Sequence, residues 1–141
     1  MRSRQEQIEA ILSWNTFVWA REQLPPGKSM DDFRFRDFIS VTEDDVYDFV
    51  LSNGFSPRVV AERDETRRAD NKLCIAPLED GRWIVYYTER GQRSEEVKVP
   101  SQAAARHEVV RRLMDNARIN LNHRYRSAHP EMDLPGPREM D

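Results

Sequence analysis

The sequence has one cysteine, few glycines and no long apolar run, and each scarcity excludes something. Cys74 stands alone, so no internal disulfide framework exists and a reducing compartment is the natural setting. No stretch approaches the roughly 18 consecutive apolar residues of a membrane-spanning helix. The opening residues, MRSRQEQIEAIL, lack the apolar core and cleavage site of a secretion signal. The expectation is a cytoplasmic protein with no membrane partner. Basic residues give no surplus: the formal charge is −3, which argues against bulk attraction to nucleic acid.

Chemical motifs are missing too. There is no Gly-x-x-x-x-Gly-Lys phosphate loop, no Gly-x-Gly-x-x-Gly, no Gly-x-Ser-x-Gly elbow and no His-Glu-x-x-His. His107, His123 and His129 are not spaced to form a zinc set with Cys74. Cys74 itself lies in an apolar run, where a cysteine serves as a small buried hydrophobe. No catalytic, cofactor-binding or metal-binding residue is therefore expected, and no cofactor.

What is present is patterned. At 141 residues with 38% hydrophobic content, the chain suits one modest core, expected over residues 1–126. The tail 127–141, with three prolines and little apolar character, reads as disordered. Ser3-Arg4-Gln5-Glu6 has the spacing of a capping box and predicts a helix from about Ser3 to Leu24, ended by Pro25 and Pro26. Its apolar residues fall on two flanks, one including Trp14 and Phe17. Phe33, Phe35 and Ile39 suggest a short strand or an irregular pinned segment. Thr42 followed by Glu43, Asp44 and Asp45 predicts a helix over 43–53, stopped by Asn53-Gly54.

Near residue 57 the period changes. Short β-branched and aromatic runs at 58–63, 72–76, 82–88 and 95–99 read as strands of an antiparallel meander. Glu79-Asp80-Gly81 predicts a tight hairpin, and Glu89 to Ser94 a longer connection. Along 82–88, alternation groups Trp83, Val85 and Tyr87 as the core face and turns Ile84 and Tyr86 outward. Ser101 caps a last helix reaching about Leu121, whose Val110, Leu113, Met114, Ala117 and Leu121 form a stripe suited to the sheet. The predicted fold is α+β: a three- or four-stranded antiparallel meander against a C-terminal helix, with two N-terminal helices.

Charge is polarised along the chain. Residues 29–65 hold ten acids against four arginines, while 101–126 hold six arginines against Glu108 and Asp115. Solvated faces are the ordinary reading of such runs, and a partner-binding acidic face is the other. Asp44, Asp45 and Asp48 are explained by capping and the helix dipole, or serve a partner. Glu89, Arg90 and Arg93, with Tyr86, are the remaining anchor candidates for a partner surface.

Ser56-Pro57-Arg58-Val59-Val60, Asp70-Asn71-Lys72-Leu73-Cys74-Ile75, the string Gly81-Arg82-Trp83-Ile84-Val85-Tyr86-Tyr87-Thr88-Glu89-Arg90-Gly91, and the Ala-rich helix from Ser101 together resemble small cytoplasmic immunity proteins of bacterial polymorphic-toxin systems. The resemblance covers about residues 56–115. It implies a non-enzymatic α+β inhibitor that binds a cognate secreted toxin domain and blocks its active site. Two other classes compete: a small nucleic-acid-binding regulator using the basic C-terminal helix, and a small enzyme of unknown type.

Overall fold

A computed structural model describes residues 1–64 and 70–140. The fold is α+β, as the sequence predicts, and the chain divides into two compact units. Met1–Val46 with Arg112–Asp141 form the first, and Tyr47–Arg111 the second.

The first unit is helical. Ser3 caps α1 (Arg4–Leu12) by accepting the Glu6 N–H, as the capping box requires. The long helix predicted to Leu24 does not form. The Ser13 hydroxyl donates to the Ala10 carbonyl, and Trp14 takes a left-handed φ of 61°, which ends one helix before α2 (Thr16–Arg21) starts. No strand forms at Phe33–Ile39. A 3₁₀ turn (Met30–Asp32) and a single helical turn, α3 (Phe35–Phe38), occupy that stretch and bury Met30, Phe35, Phe38 and Ile39. Next comes α4 (Glu43–Asn53), with the boundaries predicted. Thr42 and Asp45 cap it reciprocally, and Gly54 closes it at φ 76° with its N–H on the Val50 carbonyl.

The last helix, α5 (Gln102–Ala128), runs about two turns beyond the predicted end. Its apolar stripe, Val110, Leu113, Met114, Ala117 and Leu121, is buried as expected. Two buried amides tie the irregular segments here. Gln7 accepts the N–H groups of Ser40 and Val41 and donates to the Arg2 carbonyl. Asn122, 0% exposed, accepts the Phe35 N–H at 2.8 Å and donates to the carbonyls of Pro137 and Met140. In the tail Met140 is 1% exposed, and the Pro137 and Met140 carbonyls accept from Asn122.

The second unit contains a four-stranded sheet in the order β1 (Val60–Ala61), β2 (Lys72–Pro77), β3 (Trp83–Glu89), β4 (Gln92–Val99). The last three strands are the predicted antiparallel meander. The short β1 pairs with β2 in parallel, so the sheet is mixed. The first turn is tight as predicted, and the second is shorter than the predicted longer connection. Glu79-Asp80-Gly81 is a three-residue loop, closed by the Gly81 N–H on the Leu78 carbonyl with Gly81 at φ 87°. Arg90-Gly91 is a two-residue loop with φ of 52° and 75°, the positive pair that a type I′ hairpin demands.

Both faces of β2 and β3 are covered. Cys74, Ala76, Ile84 and Tyr86 cluster with Ala61 on one face, while Leu73, Ile75 and Val85 are buried on the other. The assignment of Tyr86 to an outward face is thus corrected: it is 0% exposed, whereas Trp83 and Tyr87 are only half-buried. Elsewhere in this unit Tyr47 of α4 stacks on His107 of α5 with ring centroids 3.5 Å apart, and Arg106 pairs with Glu62 at 2.7 Å.

A bulge interrupts the β3–β4 ladder. Val85 pairs with Val97 but Tyr87 with Ser94, so Glu95 and Glu96 together oppose Tyr86. Glu95 sits at φ 54°, a region where a β-carbon is crowded. Glu95→Gly should raise stability by about 0.5–1 kcal/mol, measured as a higher urea midpoint at unchanged slope. A lower midpoint would mean that contacts of the Glu95 side chain outweigh the strain.

Candidate partner-binding surface

The hairpin at the end of β3 and β4 brings together three of the residues singled out from sequence, Glu89, Arg90 and Arg93. Glu89 pairs with Gln92 and Thr88 with Arg93, so the two-residue loop projects directly from a regular ladder. Glu89 and Arg90 are exposed. The loop is braced at its base: the Arg90 N–H donates to Asp70 Oδ1 at 3.0 Å. Asn71, at φ 56°, donates its N–H to the Thr88 carbonyl at 2.8 Å, and its side-chain oxygen accepts the Tyr87 hydroxyl at 2.7 Å. Asn tolerates this left-handed conformation better than most residues. Burial raises the pKa of the Tyr87 phenol, and the carboxylates of Glu89, Asp70 and Glu95 push it the same way, so the phenol stays a hydrogen-bond donor.

Arg93 does different work. Its guanidinium lies 4.2 Å from the Tyr86 ring centroid and donates to Asp64 Oδ2 at 2.8 Å, while the Tyr86 hydroxyl donates to Asp64 Oδ1 at 2.7 Å. Asp64 thus joins the buried tyrosine to the arginine above it. Tyr86 is an internal support in this arrangement and offers no surface to a partner. Glu89, Arg90, Gln92, Arg93 and Ser94 line a concavity of about 390 Å³ at the tip.

The three acids on α4 separate by role. Asp44 and Asp48 are exposed. Asp45 is committed to the helix start: its carboxylate accepts the Thr42 N–H, its own N–H donates to the Thr42 hydroxyl, and it pairs with Arg4. The Thr42 backbone hydrogen bond, more than the neighbouring Arg4 charge, holds its carboxyl below the ordinary 3.8, against a smaller opposing effect of burial.

The polarity seen along the sequence closes on itself within each unit. In the helical unit Arg124 meets Asp31 at 3.1 Å, and Arg118 lies between Asp115 and Glu43. In the sheet unit Arg106 meets Glu62, and Arg111 meets Glu108. Arg126 donates to the Pro135 carbonyl. These five arginines of the helix thus have acids or a carbonyl of the chain as partners. Glu65, part of the acidic count, lies outside the described residues.

Among the described residues no group of three or more His, Cys, Asp or Glu side chains is placed to hold a metal ion, and no helix is long and apolar enough to cross a membrane. Cys74 is buried. Sequence reasoning found the hairpin but missed its supports, Asp64, Asp70 and Asn71. The Asp-Asn pair immediately before β2 was the available signal, because both residues favour turns that bond to nearby backbone. No family model matches this sequence, and no curated protein or solved structure matches it.

Proposed function

We propose that this chain is a non-catalytic immunity protein that binds a cognate toxin domain and occludes its active site, using the Glu89–Arg93 hairpin as a principal contact. The observation that carries the reading is Arg90: an exposed arginine on a two-residue loop whose backbone is fixed by Asp70. Arginine is enriched among residues that dominate binding energy, and a rigid loop loses little entropy when it docks. The string that resembles immunity proteins, Trp83 through Gly91, is β3 and this loop. Exposed Asp44 and Asp48 supply negative charge suited to a basic cleft, which steers encounter more than it holds the complex.

The test is to sequence the adjacent gene and titrate the purified chain calorimetrically with any toxin domain it encodes. Stoichiometric binding is expected, and Arg90→Ala should weaken it by about 2 kcal/mol or more, through faster dissociation, with the amide spectrum otherwise unchanged. Reversal of Asp44 and Asp48 should instead slow association, more at low salt than at high salt. Wild-type affinity in the folded Arg90→Ala protein would remove the hairpin from the interface.

A further inference from the structure

β4 is the edge strand, and every residue from Gln92 to Lys98 is exposed. Backbone direction along this edge follows from two bonds on the other side of β3: the Asn71 N–H reaches the Thr88 carbonyl, and the Leu78 N–H reaches the Arg82 carbonyl. Arg82 and Thr88 therefore face β2, and by alternation Trp83, Val85, Tyr87 and Glu89 face β4. Their partners Val99, Val97, Ser94 and Gln92 face inward. Glu96 and Lys98 are left with N–H and C=O groups directed away from the sheet. The bulge at Glu95 ends this regular edge on one side and Pro100 ends it on the other.

We infer that this edge pairs with β4 of a second copy, antiparallel, about a two-fold axis at Val97. An antiparallel ladder requires an outward-facing residue opposite an outward-facing one, which leaves two-fold registers centred on residue 96, 97 or 98. The first sets Glu96 against Glu96, and the third sets Lys98 against Lys98. Only the second sets opposite charges together: Glu96 against Lys98 of the second copy, twice, each pair exchanging two backbone hydrogen bonds. Val97, 40% exposed, then meets Val97 of the second copy at the closely spaced position on the axis. Charges that guard an edge against indiscriminate pairing select one register here.

Sedimentation equilibrium of the full chain tests this from micromolar to millimolar concentration. The average mass should rise from 16.7 kDa toward twice that value. Lys98→Glu, which makes both cross-pairs repulsive, should leave only monomer, and the exchange Glu96→Lys with Lys98→Glu should restore the dimer. In the unaltered protein, hydrogen exchange at the Glu96 and Lys98 amides should slow as concentration rises, while the Val97 amide, bonded to β3, should not respond. Monomer throughout, a dimer that survives Lys98→Glu, or amide exchange independent of concentration would each overturn the assignment.

Discussion

Asn122→Ala should lower stability by about 3 kcal/mol or more and release the C-terminal tail. The Asn122 side chain is fully buried and has both ends occupied, accepting from Phe35 and donating to Pro137 and Met140. Truncation leaves one N–H and two carbonyls without partners, and each buried orphan costs about 1–3 kcal/mol when water cannot reach it. The cost is reduced where the freed tail swings into solvent and hydrates its own carbonyls, so the Phe35 N–H bears the largest penalty. Met140 then leaves its buried position, which adds a loss of apolar burial. Chemical denaturation measures the stability. Limited trypsin digestion reports the tail separately, because cleavage after Arg138 should become rapid in the variant. A wild-type midpoint with protected Arg138 would show that the tail is held by something other than this amide.

Tyr86→Ala should cost about 3–5 kcal/mol, since truncating a fully buried aromatic leaves a cavity that a sheet core fills poorly. The ring packs among Cys74, Ala76 and Ile84, and Arg93 covers its outer side. Tyr86→Phe separates packing from the hydroxyl. It keeps the ring and removes the hydroxyl's bond to Asp64, whose carboxylate is open to water, so a loss near 1 kcal/mol is expected. Trp83→Ala should fall below Tyr86→Ala, because Trp83 is half-buried at the end of β3. Equal or larger loss at Trp83, measured by urea unfolding, would contradict the placement of the core on the Tyr86 face.

Elements written by local chemistry were legible in the sequence. The Thr42 cap, the first-turn acids and Asn53-Gly54 define α4 at both ends, and Ser3 with Glu6 defines the start of α1. The meander was legible because Gly81 and Gly91 follow residues that accept turn geometry. What was not legible depended on distance. Alternation misassigned Tyr86 because β3 is covered on both faces, and two-sided burial erases the contrast that alternation needs. Asn122 reaches tail carbonyls 15 and 18 residues away, and the Arg124–Asp31 pair spans 93 residues. The break at Trp14 opposes an apolar pattern that continues through it. For the candidate surface, the glycine turn exposed Glu89 and Arg90 to sequence reasoning, whereas the bracing by Asp64 and Asp70 required the fold.

The most direct test of the functional account is protection. The adjacent gene is sequenced, and any toxin domain it encodes is expressed from an inducible promoter, with this chain supplied in excess from a second plasmid. Growth at the rate of uninduced cells is the predicted result, reduced for Arg90→Ala at equal protein level. Cell death in the presence of folded, abundant chain would contradict the immunity reading.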